Sequence, residues 1–121
     1  MSGAVNLAEK FALFSESWTP KIIGVVDDYH VKIARVEGEF VWHAHEDADE
    51  LFLVVDGRLR LKFRDREDVL LGPGELYVVP KGIEHLPVGE PEAQILMLEK
   101  QGTVNTGTAG GERTVAEPEW I

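Results

Sequence analysis

From residue 21 onward, apolar and polar positions alternate along most of the chain, the period of strands that turn one face to a core. "KIIGVV" and "YHVKIARV" read this way; in the second, Val31 and Ile33 share one face while His30 and Lys32 share the other. "EFVWHAH" is a third candidate strand. "ELFLVV" is a nearly continuous apolar run, as expected where both faces are covered. The clearest alternation is "RLRLKFR", with Leu59, Leu61 and Phe63 on one side and Arg58, Arg60, Lys62 and Arg64 on the other. Asp56-Gly57 just before it predicts a hairpin turn. "VLL", "LYVV", "HLPV" and "EAQILMLEK" add further strands, punctuated by Gly72-Pro73-Gly74 and Pro80-Lys81-Gly82. About eight or nine short strands with no helical pattern between them predict an all-β sandwich or barrel, not a parallel βαβ sheet.

The two ends differ. In "NLAEKFALFSESW", Leu7, Phe11, Leu13 and Phe14 are spaced as in a short helix with Asn6 as its N-cap. After Lys100 the chain becomes rich in Gly and Thr and reads as an extended tail, 101–121, that Trp120 and Ile121 could anchor by packing. Residues 1–121 are therefore expected to form one domain, with a barrel core at about 21–100.

Apolar residues make up 44% of the 121, enough for a true core. A net charge of −10 argues against nucleic acid and anionic membrane surfaces, which recruit basic patches. No cysteine is present, which excludes disulfides, thiolate metal sites and a cysteine nucleophile. "MSGAVNLAEKFALF" has no basic segment followed by an apolar stretch, and no run approaches the length of a membrane helix. A cytoplasmic location is the expectation.

The chemistry concentrates in "HAHEDADE" and "PKGIEH". On a strand, His43 and His45 would project from the same side, about 6.6 Å apart. If "EDAD" is a loop, Glu50 opens the next strand and its carboxylate returns beside them, while the Pro80–Gly82 turn aims His85. Three imidazoles and one carboxylate suit a divalent transition metal (Fe, Mn, Ni, Co, Cu or Zn) with positions left for water or substrate. Other charged residues have plainer readings. His30 is expected at the surface, Glu46, Asp47 and Asp49 in a solvated loop, and the Arg58–Arg64 stripe on an exposed sheet face. Phe40, Trp42, Phe52, Val54, Tyr77 and Met97 are expected in the core or lining a pocket.

These two segments resemble the two motifs of the cupin superfamily. The first, a glycine, H-x-H, a glutamate and a later glycine, is matched by Gly38, His43, His45, Glu50 and Gly57; the second, G-x5-P-x-G-x2-H, by Gly74, Pro80, Gly82 and His85. Gly38 stands one residue nearer to His43 than is usual, and Gly89 occupies a position where asparagine is common; neither supplies a ligand. The first motif is especially similar to small cupins labelled mannose-6-phosphate-isomerase-like. The resemblance implies a double-stranded β-helix, a jelly-roll-like barrel, with the metal held by His43, His45, Glu50 and His85. It also implies a small-molecule ligand in the barrel mouth and a homodimer that exchanges edge strands. It does not choose among isomerase, dioxygenase and lyase chemistry on a sugar, organic acid or ring substrate, and it assigns no general acid or base. A non-catalytic binding or sensing module is the alternative.

Overall fold

In the computed structural model, which describes residues 3–121, the alternating segments assemble into one seven-stranded sheet that curls around its own inner face. The elements are α1 (Leu7–Phe11), β1 (Lys21–Val26), β2 (Tyr29–Glu39), β3 (Glu50–Phe63), β4 (Val69–Leu71), β5 (Leu76–Val79), β6 (His85–Lys100) and β7 (Glu119–Trp120). The order is β4-β3-β6-β2-β1-β7, with β5 also on β3. β3 and β6 run antiparallel from Glu50↔Glu99 to Phe63↔His85, and β2 covers the other edge of β6. Along its free edge β3 takes β5 at Glu50–Leu53 and β4 at Leu59–Leu61.

The inner face is apolar for most of its length. Ala34 and Val36 from β2, Phe52, Val54, Leu59, Leu61 and Phe63 from β3, and Ala93, Ile95 and Met97 from β6 form one buried cluster. Each large side chain removed from water there contributes about 1.5–3 kcal/mol. Helix α1 is short but well capped: Asn6 Oδ1 accepts from Glu9 N at 2.9 Å. Phe11 is buried, and the Arg35 guanidinium on β2 donates to the carbonyls of Phe11 and Phe14, which fastens this segment to the sheet.

The long strands correct two expectations. Asp56-Gly57 is not a hairpin turn but lies inside β3, where the ladder with β6 slips between Val54 and Asp56 and again between Gly57 and Leu59. "HLPV" and "EAQILMLEK" are likewise one strand, β6. The paired strands bend together here. Gly57 has φ +81°, and a Cβ on it would lie 2.3 Å from the Glu92 carbonyl oxygen. The tail ends on β1: β7 pairs with it in parallel, Ile121 N donates to Ile22 O, and Trp120, itself exposed, sits edge-on to His30. No helix among the described residues is long and apolar enough to cross a membrane.

Candidate metal centre

"EFVWHAH" does not form the strand its alternation predicts. β2 ends at Glu39, and from residue 40 to 49 the chain is irregular except at His43, which bridges His85. The bridge is made by His43 N to His85 O at 3.0 Å and His85 N to His43 O at 2.9 Å. Gly82 N donates to His45 O at 2.8 Å, and Lys81 N to Asp49 Oδ1 at 2.9 Å. Backbone hydrogen bonds thus lock the two histidine segments to each other. The acidic loop contributes Asp49 as a fastener, although that residue is exposed.

All four predicted ligands are buried and converge. His43, His45, Glu50 and His85 each offer one ligand atom within 4.8 Å of the others. Glu50 Oε1 lies 3.3 Å from His45 Nε2 and 3.4 Å from His85 Nε2. Val41 O is 2.8 Å from His43 Nδ1, and Ile83 O is 2.9 Å from His85 Nδ1. A carbonyl only accepts, so these contacts place the proton on Nδ1 and leave the Nε2 lone pair bare. His45 Nε2, His85 Nε2 and Glu50 Oε1 are buried and accept or donate no aligned hydrogen bond. Buried polar atoms are rarely left so, and three of them aimed at one point fit a cation.

Electrostatics agree with that fit. Burial, and next the neighbouring His85, push the His43 imidazole down to about 4, so it is neutral at pH 7 and able to coordinate. Burial acts to raise the Glu50 carboxyl, yet the polar groups of Glu99, His45 and His85 beside it outweigh burial and hold the group well below the usual range.

Two residues that the sequence did not mark complete the interior. Alternation groups Lys32 with His30 on a polar face; in the fold it is 1% exposed, with Nζ 3.1 Å from Glu99 Oε1. Glu99, also 1% exposed, is pushed well above the usual carboxylate range, first by burial and then by the charge of Glu50. His30 itself is half-buried against Trp120. The Arg58–Arg64 stripe faces outward as expected, Arg60 pairing with Glu90 and Asp68. Trp42 lies beneath the Arg64 guanidinium and not in the core.

A cavity opens onto the cluster. Trp18 and Phe40, stacked with centroids 4.5 Å apart, form part of its wall, with Phe52, Ile95 and Met97 deeper in; His43, Glu50 and Glu99 supply the polar side. It is a narrow slot, with an empty volume of about 380 Å³ including the open mouth. The tail closes one side. Asn105 lines the slot, and Thr108 N and Oγ1 pair with Ala44 O and N, each at 3.0 Å.

Residues 29–99 match the family described as the cupin domain (Cupin_2). The chain belongs to the cupin family. It is 34% identical over 108 residues to the uncharacterized protein YdbB of Bacillus subtilis (strain 168), a match spanning 81% of this chain and 89% of YdbB. A crystal structure of a cupin-2 domain containing protein from Shewanella frigidimarina is 45% identical, with a TM-score of 0.78 over 81% of this chain and 95% of that one. The fold also resembles a hydroquinone 1,2-dioxygenase, PnpCD, solved with Cd2+ and 4-hydroxybenzonitrile, at 24% identity and a TM-score of 0.68 over 80% of this chain and 72% of that one. The cupin barrel thus frames a cluster of three histidines and one glutamate that could hold a metal.

Proposed function

We propose that this cupin is a metal-dependent enzyme acting on a small, flat, largely apolar molecule that meets the ion through an oxygen atom. The observation that carries the reading is the slot: aromatic and aliphatic walls from Trp18, Phe40, Phe52, Ile95 and Met97 end at His43 and Glu50. Among the substrate classes the ligand set allows, a ring compound suits these walls best. A sugar would leave its hydroxyls facing Phe52 and Met97 without partners, at a cost of about 1–3 kcal/mol for each one stranded. A sugar phosphate would want a cation, and among the described residues no lysine or arginine lines the slot.

His43, His45, Glu50 and His85 would hold the metal, which when bound supplies Lewis acidity or, for iron, dioxygen chemistry. The chain's own part is to keep three imidazoles buried and aimed, to exclude water with the aromatic pair, and to orient a ring between Trp18 and Phe52.

The test begins with metal analysis of the purified protein and of His45→Ala. One equivalent of a transition metal per chain in the native protein, falling at least about 10-fold in the variant, is expected. Oxygen uptake is then followed with quinols and phenols and compared with turnover of sugars and sugar phosphates. Unchanged metal in His45→Ala would overturn the site. Turnover confined to sugar phosphates would overturn the substrate class. Metal with ring binding but no turnover would make this a binding module. We also propose that the chain forms a homodimer through the outer face of its sheet.

A further inference from the structure

We infer that Lys32 and Glu99 are positioning residues for the metal centre: a buried pair that holds Glu50 in its ligating orientation. The inference rests on the metal-binding reading above. It concerns neither of the two family motifs, since Lys32 lies on β2 and Glu99 near the end of β6.

A glutamate that ligates through one oxygen must have the rest of its carboxyl fixed, or the ligand atom swings with the side chain. Glu50 Oε1 points at His45 and His85. Directly across the ladder stands Glu99, buried like Glu50, and both residues line the slot beside His43. Two carboxyls facing each other in a dry interior repel unless a positive charge or a shared proton intervenes. Lys32 supplies the charge: its Nζ lies 3.1 Å from Glu99 Oε1 and donates to Thr103 O at 3.3 Å. Three adjacent strands, β3, β6 and β2, thus each turn one charged side chain into the same end of the barrel.

Stability gives no reason for this row. Its inward neighbours are apolar: Ala34 follows Lys32 on β2, and Met97 precedes Glu99 on β6. Apolar residues would fill the space, and replacing a buried ion pair with them is often neutral or stabilising. Both carboxylate oxygens of Glu99 also lack an aligned hydrogen bond, a poor arrangement for a purely structural pair. What the row does accomplish is to set the position of one ligand. Partners of metal-ligating carboxylates commonly alter metal affinity about 10–100-fold when removed.

The experiment measures Co(II) affinity by competition with a chelator, together with the visible absorption of the bound cobalt and the thermal midpoint. Leucine at 99 alone would strand the Lys32 ammonium and risk unfolding, so the principal variant is Lys32→Met/Glu99→Leu. It is expected to melt within about 5 °C of the native protein. It should bind Co(II) about 10–100-fold more weakly, with an altered band pattern. Glu99→Gln, whose amide can still donate to Glu50, should retain native affinity and spectrum. Native affinity and an unchanged spectrum in the double variant would overturn the inference while leaving the metal centre intact. A native protein that takes up no Co(II) would instead overturn the metal centre itself.

Discussion

Val41 and Ile83 do for the imidazoles what a sequence motif cannot show. Their carbonyls take the Nδ1 protons of His43 and His85, so each ring presents Nε2 to the interior. The burial that allows this also makes the metal-free protein sensitive to acid. His43 has its pKa lowered to about 4, whereas an unfolded chain would protonate it near 6.5. Below about pH 6.5 the unfolded state takes up a proton that the native state refuses, so stability falls as the pH drops through this window. The loss is complete below about pH 4 and amounts to about 3 kcal/mol. Urea midpoints of chelator-treated protein between pH 7.5 and 4.5 should show this slope, and His43→Gln should flatten it. Equal slopes in the two proteins would remove His43 as the cause. At this scale the clustered His43, His45, Glu50 and His85 are legible, because the two motif spacings single them out. Lys32 and Glu99 are not. Alternation places Lys32 opposite Val31 and Ile33, but a charged residue on that pattern reads as exposed, and the inward face is decided by how the sheet curls.

The strands show where local signals stop. Asp56-Gly57 between two alternating runs is a strong hairpin signature, yet β3 passes through it, because β6 offers a partner on both sides of the break. The glycine is needed for the close approach of the two bent strands rather than for a reversal. Gly57→Ala sets a Cβ 2.3 Å from Glu92 O and 2.8 Å from Ala93 Cα, at φ +81°. Neither neighbour is a side chain that can move away, so a loss of about 2–3 kcal/mol or more is expected. Gly74 is the control: its φ is +83°, but nothing lies within 4 Å of its added Cβ. Alanine there should cost only the left-handed conformation, about 1 kcal/mol. Denaturant midpoints for the pair separate clash from conformation; equal losses would refute the crowded bend. "EFVWHAH" failed for the opposite reason. Its alternation is real, but this segment needs to present two imidazoles to one point, and a single bridge to His85 with irregular backbone on either side does so.

The whole molecule carries a second ordered face, on the outside. Strand register places Val78, Leu51, Leu98 and Val31 in one row across β5, β3, β6 and β2, and Leu76, Leu53, Leu96 and Ile33 in the next. Neither row contains a charged side chain, in a chain of net charge −10. Ile33 is covered by its own chain, while Leu76 and Val78 stand 55% and 43% exposed. Copies of so acidic a chain repel one another over most approaches, and this face is one on which they can meet without opposed charges. A two-fold axis through it would lay row on row, as an isologous contact requires. The homodimer proposed here therefore rests on the outer face of β5, β3 and β6, and sedimentation velocity at about 10 µM should show it. Leu76→Glu/Val78→Glu adds four carboxylates at a two-fold contact and should leave monomers. Metal content should not change, because register sets Leu76 and Val78 on the opposite face of β5 from Tyr77 and Val79, which pack on the core. A native monomer, or a dimer indifferent to both glutamates, would refute the interface. Metal lost along with the dimer would mean that the centre depends on assembly, contrary to the burial of all four ligands within one chain.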